Sequence, residues 1–105
     1  MARILIRNAQ VFDATGRPPY PADVLVEGNR IRAVATDLGT IDASGAEVID
    51  ASGMTLMPGM VEGHSHPTFT GVAMPSELGE IPPEEHLILS IKNTRLMLDH
   101  GFTSL

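Results

Sequence analysis

Two histidines one residue apart, His64 and His66 in the run Pro58-Gly59-Met60-Val61-Glu62-Gly63-His64-Ser65-His66-Pro67, are the side chains whose type and spacing best suit chemistry. On a β-strand, residues i and i+2 share one face, so the two imidazoles would project side by side with Ser65 turned away. At ~6–7 Å between Cα atoms, they can tilt inward and place nitrogens ~2.0–2.1 Å from one zinc ion. Neutral imidazole is the commonest ligand for zinc and similar metals. A His-x-His pair alone is short enough to be two incidental histidines on a surface loop. Its setting argues for ligands: an apolar run enters the pair, Pro58-Gly59 precedes that run, and Pro67 stops the strand directly after it. A strand end opening into a loop also leaves coordination positions free for water, as a catalytic metal requires. Glu62 would share the same face of a continuous strand, as a ligand, as a carboxylate orienting the ligands, or as a solvated edge residue.

The other candidates are weaker. His86 falls in the first turn of an expected helix, one position off its apolar stripe, and is expected to face solvent. His100 ends that helix, where a cation is favoured, and is expected to be structural. The six Met read as core filler. Asp50 and Asp99 have no convergent partner in the sequence pattern.

Composition narrows the classes. With 105 residues the chain is long enough for one ordinary domain, and 43% hydrophobic against 19% charged residues allows a packed core. A net charge of −6, with seven basic residues scattered, argues against nucleic acid or an anionic membrane as partner. The absence of Cys excludes disulfides, thiolate metal sites and a cysteine nucleophile. No stretch approaches the ~18 apolar residues of a membrane span, and the N-terminal apolar run is too short for a signal peptide. A cytoplasmic protein is the default expectation.

Several elements must position the pair. Residues 1–57 read as short strands and turns. Ile4 to Phe12 is near-alternating and is ended by Thr15-Gly16-Arg17-Pro18-Pro19. Gly28-Asn29, between Asp23–Glu27 and Arg30–Val34, predicts a hairpin with a type I′ or II′ turn. Residues 36–46 read as a loop, followed by strands at Glu47–Asp50 and Met54–Met57. After the boundary at Pro58-Gly59, Met60 to His64 reads as a short buried strand and Pro67 to Pro83 as a long loop. The spacing of Leu87, Ile91, Thr94, Arg95 and Leu98, widened by Ile88 and Met97, predicts a helix from Glu84 to His100 with that apolar stripe inward. Preceding prolines, Glu84 and Glu85 in the first turn, and Gly101 at the end suit its termini. Phe102–Leu105 has strand composition.

Taken in order, these segments carry a likeness. Asp13-Ala14-Thr15-Gly16 closes the first strand. Val24-Leu25-Val26-Glu27-Gly28-Asn29-Arg30-Ile31, Val48-Ile49-Asp50-Ala51-Ser52-Gly53 and Met57-Pro58-Gly59-Met60-Val61-Glu62-Gly63-His64-Ser65-His66 follow. The sequence resembles the amidohydrolase superfamily of metal-dependent hydrolases, most closely its imidazolonepropionase-like and prolidase-like branch, over nearly the whole chain. The resemblance implies an α/β fold: a (β/α)8 TIM barrel with a small β-sandwich built from both chain ends. Residues 1–57 would be part of the β-sandwich. Residues 58–105 would be the barrel's first strand, first helix and the start of its second strand. By the same likeness, His64 and His66 would be the strand-one metal ligands at the barrel mouth. Pro67–Pro83 would be the first βα loop, lining the substrate pocket. The family commonly has Asp where this chain has Glu62, which leaves a direct ligand role for Glu62 in doubt.

The implied reaction is hydrolysis of an amide-type C–N bond by a metal-activated water, with one or two divalent ions, most simply Zn2+. Implied substrates are small molecules: a dipeptide, an N-acyl amino acid, a cyclic amide or a xenobiotic amide. A deaminase of the same superfamily is the nearest alternative. Such a barrel needs roughly 250 residues. The family's remaining ligands and its general base, an Asp, lie on later strands, so they are expected beyond residue 105 in a missing C-terminal barrel, and a homo-oligomer is expected. A different class of reading is a non-catalytic β-rich binding or assembly module. The 105 residues alone are expected to show no hydrolase activity even with zinc. A native protein whose intact mass is no larger than this chain, folded and monomeric by circular dichroism, would favour the module.

Overall fold

A computed structural model describes residues 2–69 and 71–105, so Thr70, within the expected first loop, lies outside the described residues. The chain forms two compact units, Met1–Pro58 and Gly59–Leu105.

The first unit is one mixed five-stranded sheet. Its strands are β1 (Arg3–Val11), β2 (Tyr20–Glu27), β3 (Arg30–Ala35), β4 (Glu47–Asp50) and β5 (Thr55–Leu56). The order is β3-β2-β1-β4, with β5 also on β1. The hairpin closes between Glu27 and Arg30. Gly28 takes φ 61° while Asn29 is not among the positive-φ residues, the pattern of a II′ rather than a I′ turn.

β1 changes partner along its length. Ile4 to Arg7 run parallel to Glu47 to Asp50, and Gln10 and Val11 run parallel to Thr55 and Leu56. The change falls at a bulge between Ile6 and Ala9, where Asn8 has φ 60°. That extra residue shifts the inward parity, so Ile6 before it and Ala9 and Val11 after it reach one face. There Ala9, Val11, Ala22, Val24 and Ala51 form a buried cluster, flanked by Ile6, Tyr20, Val26 and Leu56. An apolar groove of about 290 Å³ runs over this face, bounded by Ile31 and Val34 of β3. The sheet is thus a single layer of the expected sandwich.

Alternation places Leu5, Asp23 and Leu25 on the opposite face, where they are buried. The loop between β3 and β4 is tied to this sheet: Gly39 donates its N–H to Asp23 Oδ2 at 2.8 Å, and Arg3 reaches the Ser44 carbonyl. Asp23 Oδ1 accepts the N–H of Asn8 at 2.9 Å, which satisfies the donor that the bulge frees from the ladder. One fully buried carboxylate thus fixes both a bulge and a loop. Replacing Asp23 with Ala strands two backbone donors, at about 1–3 kcal/mol for each that water does not reach. The intact D23A protein is expected to melt several degrees lower, and an unchanged melting curve would refute this role.

Candidate metal centre

The second unit is a βαβ arrangement. β6 (Met60–Val61) runs parallel to β7 (Phe102–Ser104), and the connection carries a 3-10 helix (Pro75–Glu80) and α1 (Pro83–Asp99). Two parallel strands need such a long crossover, because a tight turn can join only antiparallel neighbours. The 3-10 helix is a correction to the sequence reading, which has loop throughout Pro67–Pro83. Pro75 starts it and Ala73 N–H donates to Glu77 Oε2 at 3.0 Å, a local closure that no periodicity announces.

α1 begins with Pro83 in its first turn and Glu84 and Glu85 beside it. It ends at His100, whose ring Nδ1 lies 2.8 Å from the Leu96 carbonyl, a structural role as expected. Gly101 at φ 91° then turns the chain into β7. The inward face of α1 differs from the expected one. His86, Leu89, Ser90, Asn93 and Met97 are half-buried, whereas Leu87, Ile91 and Leu98 of the expected stripe are exposed. His86 is therefore not solvent-facing: its Nε2 is buried and has no hydrogen-bond partner among the described residues. The physical reason is that, within this unit and among the described residues, the two short strands shelter only a narrow strip of the helix.

Close approach sets the strand pair. A Cβ on Gly59 would lie 2.1 Å from Thr103 Oγ1 and 2.8 Å from Thr103 Cβ, so only glycine fits there. Met60 N–H donates to the Gly101 carbonyl at 2.8 Å and Glu62 N–H to Ser104 O at 3.0 Å. The second of these is the last bond of the ladder.

His64 and His66 therefore lie beyond β6, and strand alternation does not place them side by side as the sequence reading has it. The expected strand to His64 stops at Val61, which is exposed. A turn does the work instead. Glu62 Oε1 accepts the N–H of His64 at 2.9 Å, so this carboxylate holds the backbone of the first histidine. His66 O accepts the N–H of Phe69 at 2.9 Å, and the Phe69 ring stacks on the His66 imidazole with centroids 4.4 Å apart and planes 14° apart. Asn93 Nδ2 donates to the Pro67 carbonyl at 2.5 Å. Phe69 and Asn93 escape a reading by spacing. The first is visible only as an aromatic three residues beyond His66, and the second acts across 26 residues.

The outcome is convergence: the Nε2 atoms of His64 and His66 are 2.9 Å apart, on two exposed rings inclined at 67°. At that distance one nitrogen donates and the other accepts. A tetrahedral ion with nitrogens at ~2.0–2.1 Å keeps them ~3.3 Å apart, so a few tenths of an ångström of opening would fit the pair to one metal. Among the described residues no group of three His, Asp or Glu side chains comes together, so Glu62 does not complete a site with the pair.

No family profile matches the chain. It is 33% identical to the adenine deaminase of Deinococcus radiodurans over 112 aligned residues, covering 96% of this chain and 20% of that protein. A solved amidohydrolase superposes on 97% of the chain with a TM-score of 0.83 and 29% identity, using 24% of its own length. A solved prolidase, complexed with N-methylphosphonate-L-proline, covers 98% with a TM-score of 0.85 and 26% identity, using 25% of its length. The chain belongs to the amidohydrolase superfamily. It spans a quarter or less of each of these proteins. As an amidohydrolase-superfamily chain, it has in its β6–α1–β7 unit the opening of a (β/α)8 barrel. His64 and His66 then follow the carboxyl end of the first barrel strand, the side on which such barrels carry their chemistry.

Gly59→Ala tests the strand pair. It should destabilise the intact protein by about 1–3 kcal/mol through overpacking, and Thr103→Gly should restore part of the loss. A G59A protein as stable as the parent would show that the two strands are free to part.

Proposed function

We propose that the protein is a metal-dependent hydrolase of C–N bonds, with His64 and His66 as the first two protein ligands of its metal. The observation that carries this reading is the 2.9 Å approach of the two Nε2 atoms just past the end of a parallel strand. The donor set is two imidazoles and no thiolate, which suits Zn2+, as one ion or two. When bound, the metal lowers the pKa of a water and polarises the scissile carbonyl. This chain's residues do the holding: Glu62 fixes the His64 amide and Phe69 braces the His66 ring. The remaining ligands and the general base are assigned to chain beyond residue 105.

The substrate is a small amide-type molecule, a dipeptide, N-acyl amino acid, cyclic amide or xenobiotic amide. The superposed prolidase supports the dipeptide choice. The 33% identity to an adenine deaminase supports a second reading, release of ammonia from a heterocyclic amine. We place the protein in the cytoplasm as a homo-oligomer without nucleic-acid or membrane partners. No helix among the described residues is long and apolar enough to cross a membrane.

The test uses the intact protein. His64→Ala and His66→Ala, singly and together, should lower bound zinc, measured by elemental analysis, and cut turnover by more than ~100-fold, since even outer contacts of a metal site are worth 10–100-fold. Full metal content and activity in the double variant would rule out the ligand assignment. Assay of ammonia against carboxylate and amine products, over dipeptides ending in proline, N-acyl amino acids, cyclic amides and adenine, separates hydrolase from deaminase.

A further inference from the structure

We propose that Asn93, in the middle of α1, is a positioning residue for the histidine pair, acting through the Pro67 carbonyl; the inference rests on the reading of His64 and His66 as metal ligands.

Asn93 is an unfavourable choice for a helix interior, where its short polar side chain competes with the helical backbone bonds. It nevertheless sits on the sheltered face of α1 with His86, Ser90 and Met97, half-buried, and its side-chain amide reaches out of the helix. The donor Nδ2 lies 2.5 Å from Pro67 O, 26 residues away in sequence. Pro67 follows His66 directly, has a fixed φ and no N–H of its own, and restricts the backbone of His66. The next constraint comes from Phe69, whose N–H closes on His66 O at 2.9 Å. Two successive carbonyls, those of His66 and Pro67, are thus pinned, one by the local turn and one by the helix.

With both peptide planes after His66 held, its backbone has less freedom, and the stacked Phe69 ring limits rotation of its side chain. Among the described residues the ring itself is exposed. Without the Asn93 donor, the turn has one fewer anchor and His66 Nε2 samples positions away from His64. A ligand ordered before the metal arrives loses less entropy on binding. The amide of Asn93 therefore raises metal affinity without touching the ion.

The experiment measures metal affinity and geometry in the intact protein. Asn93→Asp keeps the size of the side chain and replaces the donor NH2 with an acceptor, and Asn93→Ala removes both. Thr94→Ala, on the exposed side of α1, is the control for a polar-to-alanine change at a neighbouring helix position. Zinc affinity is read by chelator competition, geometry by the visible spectrum of the Co2+-substituted protein, and fold by circular dichroism and melting.

The expected result is about a 10-fold loss of zinc affinity in N93D and N93A, with an altered Co2+ spectrum, native circular dichroism, and no such change in T94A. Unchanged affinity and spectrum in the Asn93 variants would overturn the proposal. So would loss of metal that occurs only together with loss of structure, since Asn93 would then act on the fold. His64→Ala separates the two levels. If it keeps its zinc, the ligand reading itself fails. If it loses zinc while N93D retains it, only the role of Asn93 fails.

Discussion

The parallel contact between β6 and β7 is the constraint from which the site follows. Parallel neighbours require the chain to leave one strand, travel back along the pair and re-enter in the same direction. Here the excursion includes the 3-10 helix and the 17 residues of α1. Its return is possible because Gly101 reverses the chain after His100 and because Gly59 has no Cβ to strike Thr103. Among the described residues the last ladder bond of β6 is the one from Glu62 N–H, and the backbone then turns. A segment that has left the sheet but is still anchored at its base can turn, and the turn brings His64 and His66 together. Had β6 continued as a regular strand, their Cα atoms would stand ~6–7 Å apart on one face. The nitrogens would then meet only through side-chain tilt.

Carboxylates do much of the local shaping. Asp13, Asp42, Asp50 and Glu62 each accept the N–H of the residue two positions on: Thr15, Ser44, Ser52 and His64. This short-range capture stabilises a turn without any tertiary partner. The Arg17 guanidinium, with Thr15, holds the Asp13 carboxyl well below the usual carboxylate range. Ser44 lowers Asp42, and Asn8 with Ser52 lowers Asp50. The negative balance of the chain is therefore partly the signature of its turns rather than of a cationic partner. Glu62 belongs to this pattern, which explains why it serves the backbone of His64 instead of joining the imidazoles.

What could be read from the residues was local. The Gly28-Asn29 hairpin, the strand at Glu47–Asp50, a strand within Met54–Met57 (observed at Thr55–Leu56) and a helix over Glu84–His100 (observed at Pro83–Asp99) each rest on neighbours within a few positions. The His-x-His pair was legible as a pair, though its proximity comes from a turn and not from a pleat. The bulge at Asn8 was hidden because Ile4 to Val11 reads as plain near-alternation, and the parity change shows only once β1 is seen to serve both β4 and β5. The inward face of α1 was misassigned for a related reason. Periodicity finds the most apolar stripe, but the face that is covered depends on which neighbours are present. Asn93 was invisible because a polar residue inside a helix declares no partner.

The two units hold themselves in different ways, and this bears on the chemistry. Every buried residue among those described, from Leu5 to Ala51, belongs to Met1–Pro58. That sheet is fixed by apolar packing and by the buried Asp23 carboxylate. Gly59–Leu105 has no buried residue among those described. The geometry of its histidine pair rests on a few polar and ring contacts: Glu62 on the His64 amide, Phe69 on His66, and Asn93 on Pro67. Each such contact is modest alone, about 0.5–1.5 kcal/mol for a neutral hydrogen bond. They act on a segment of six residues, His64 to Phe69, so their effects fall on the same two rings. A site ordered in this manner is sensitive to the loss of any one of these contacts.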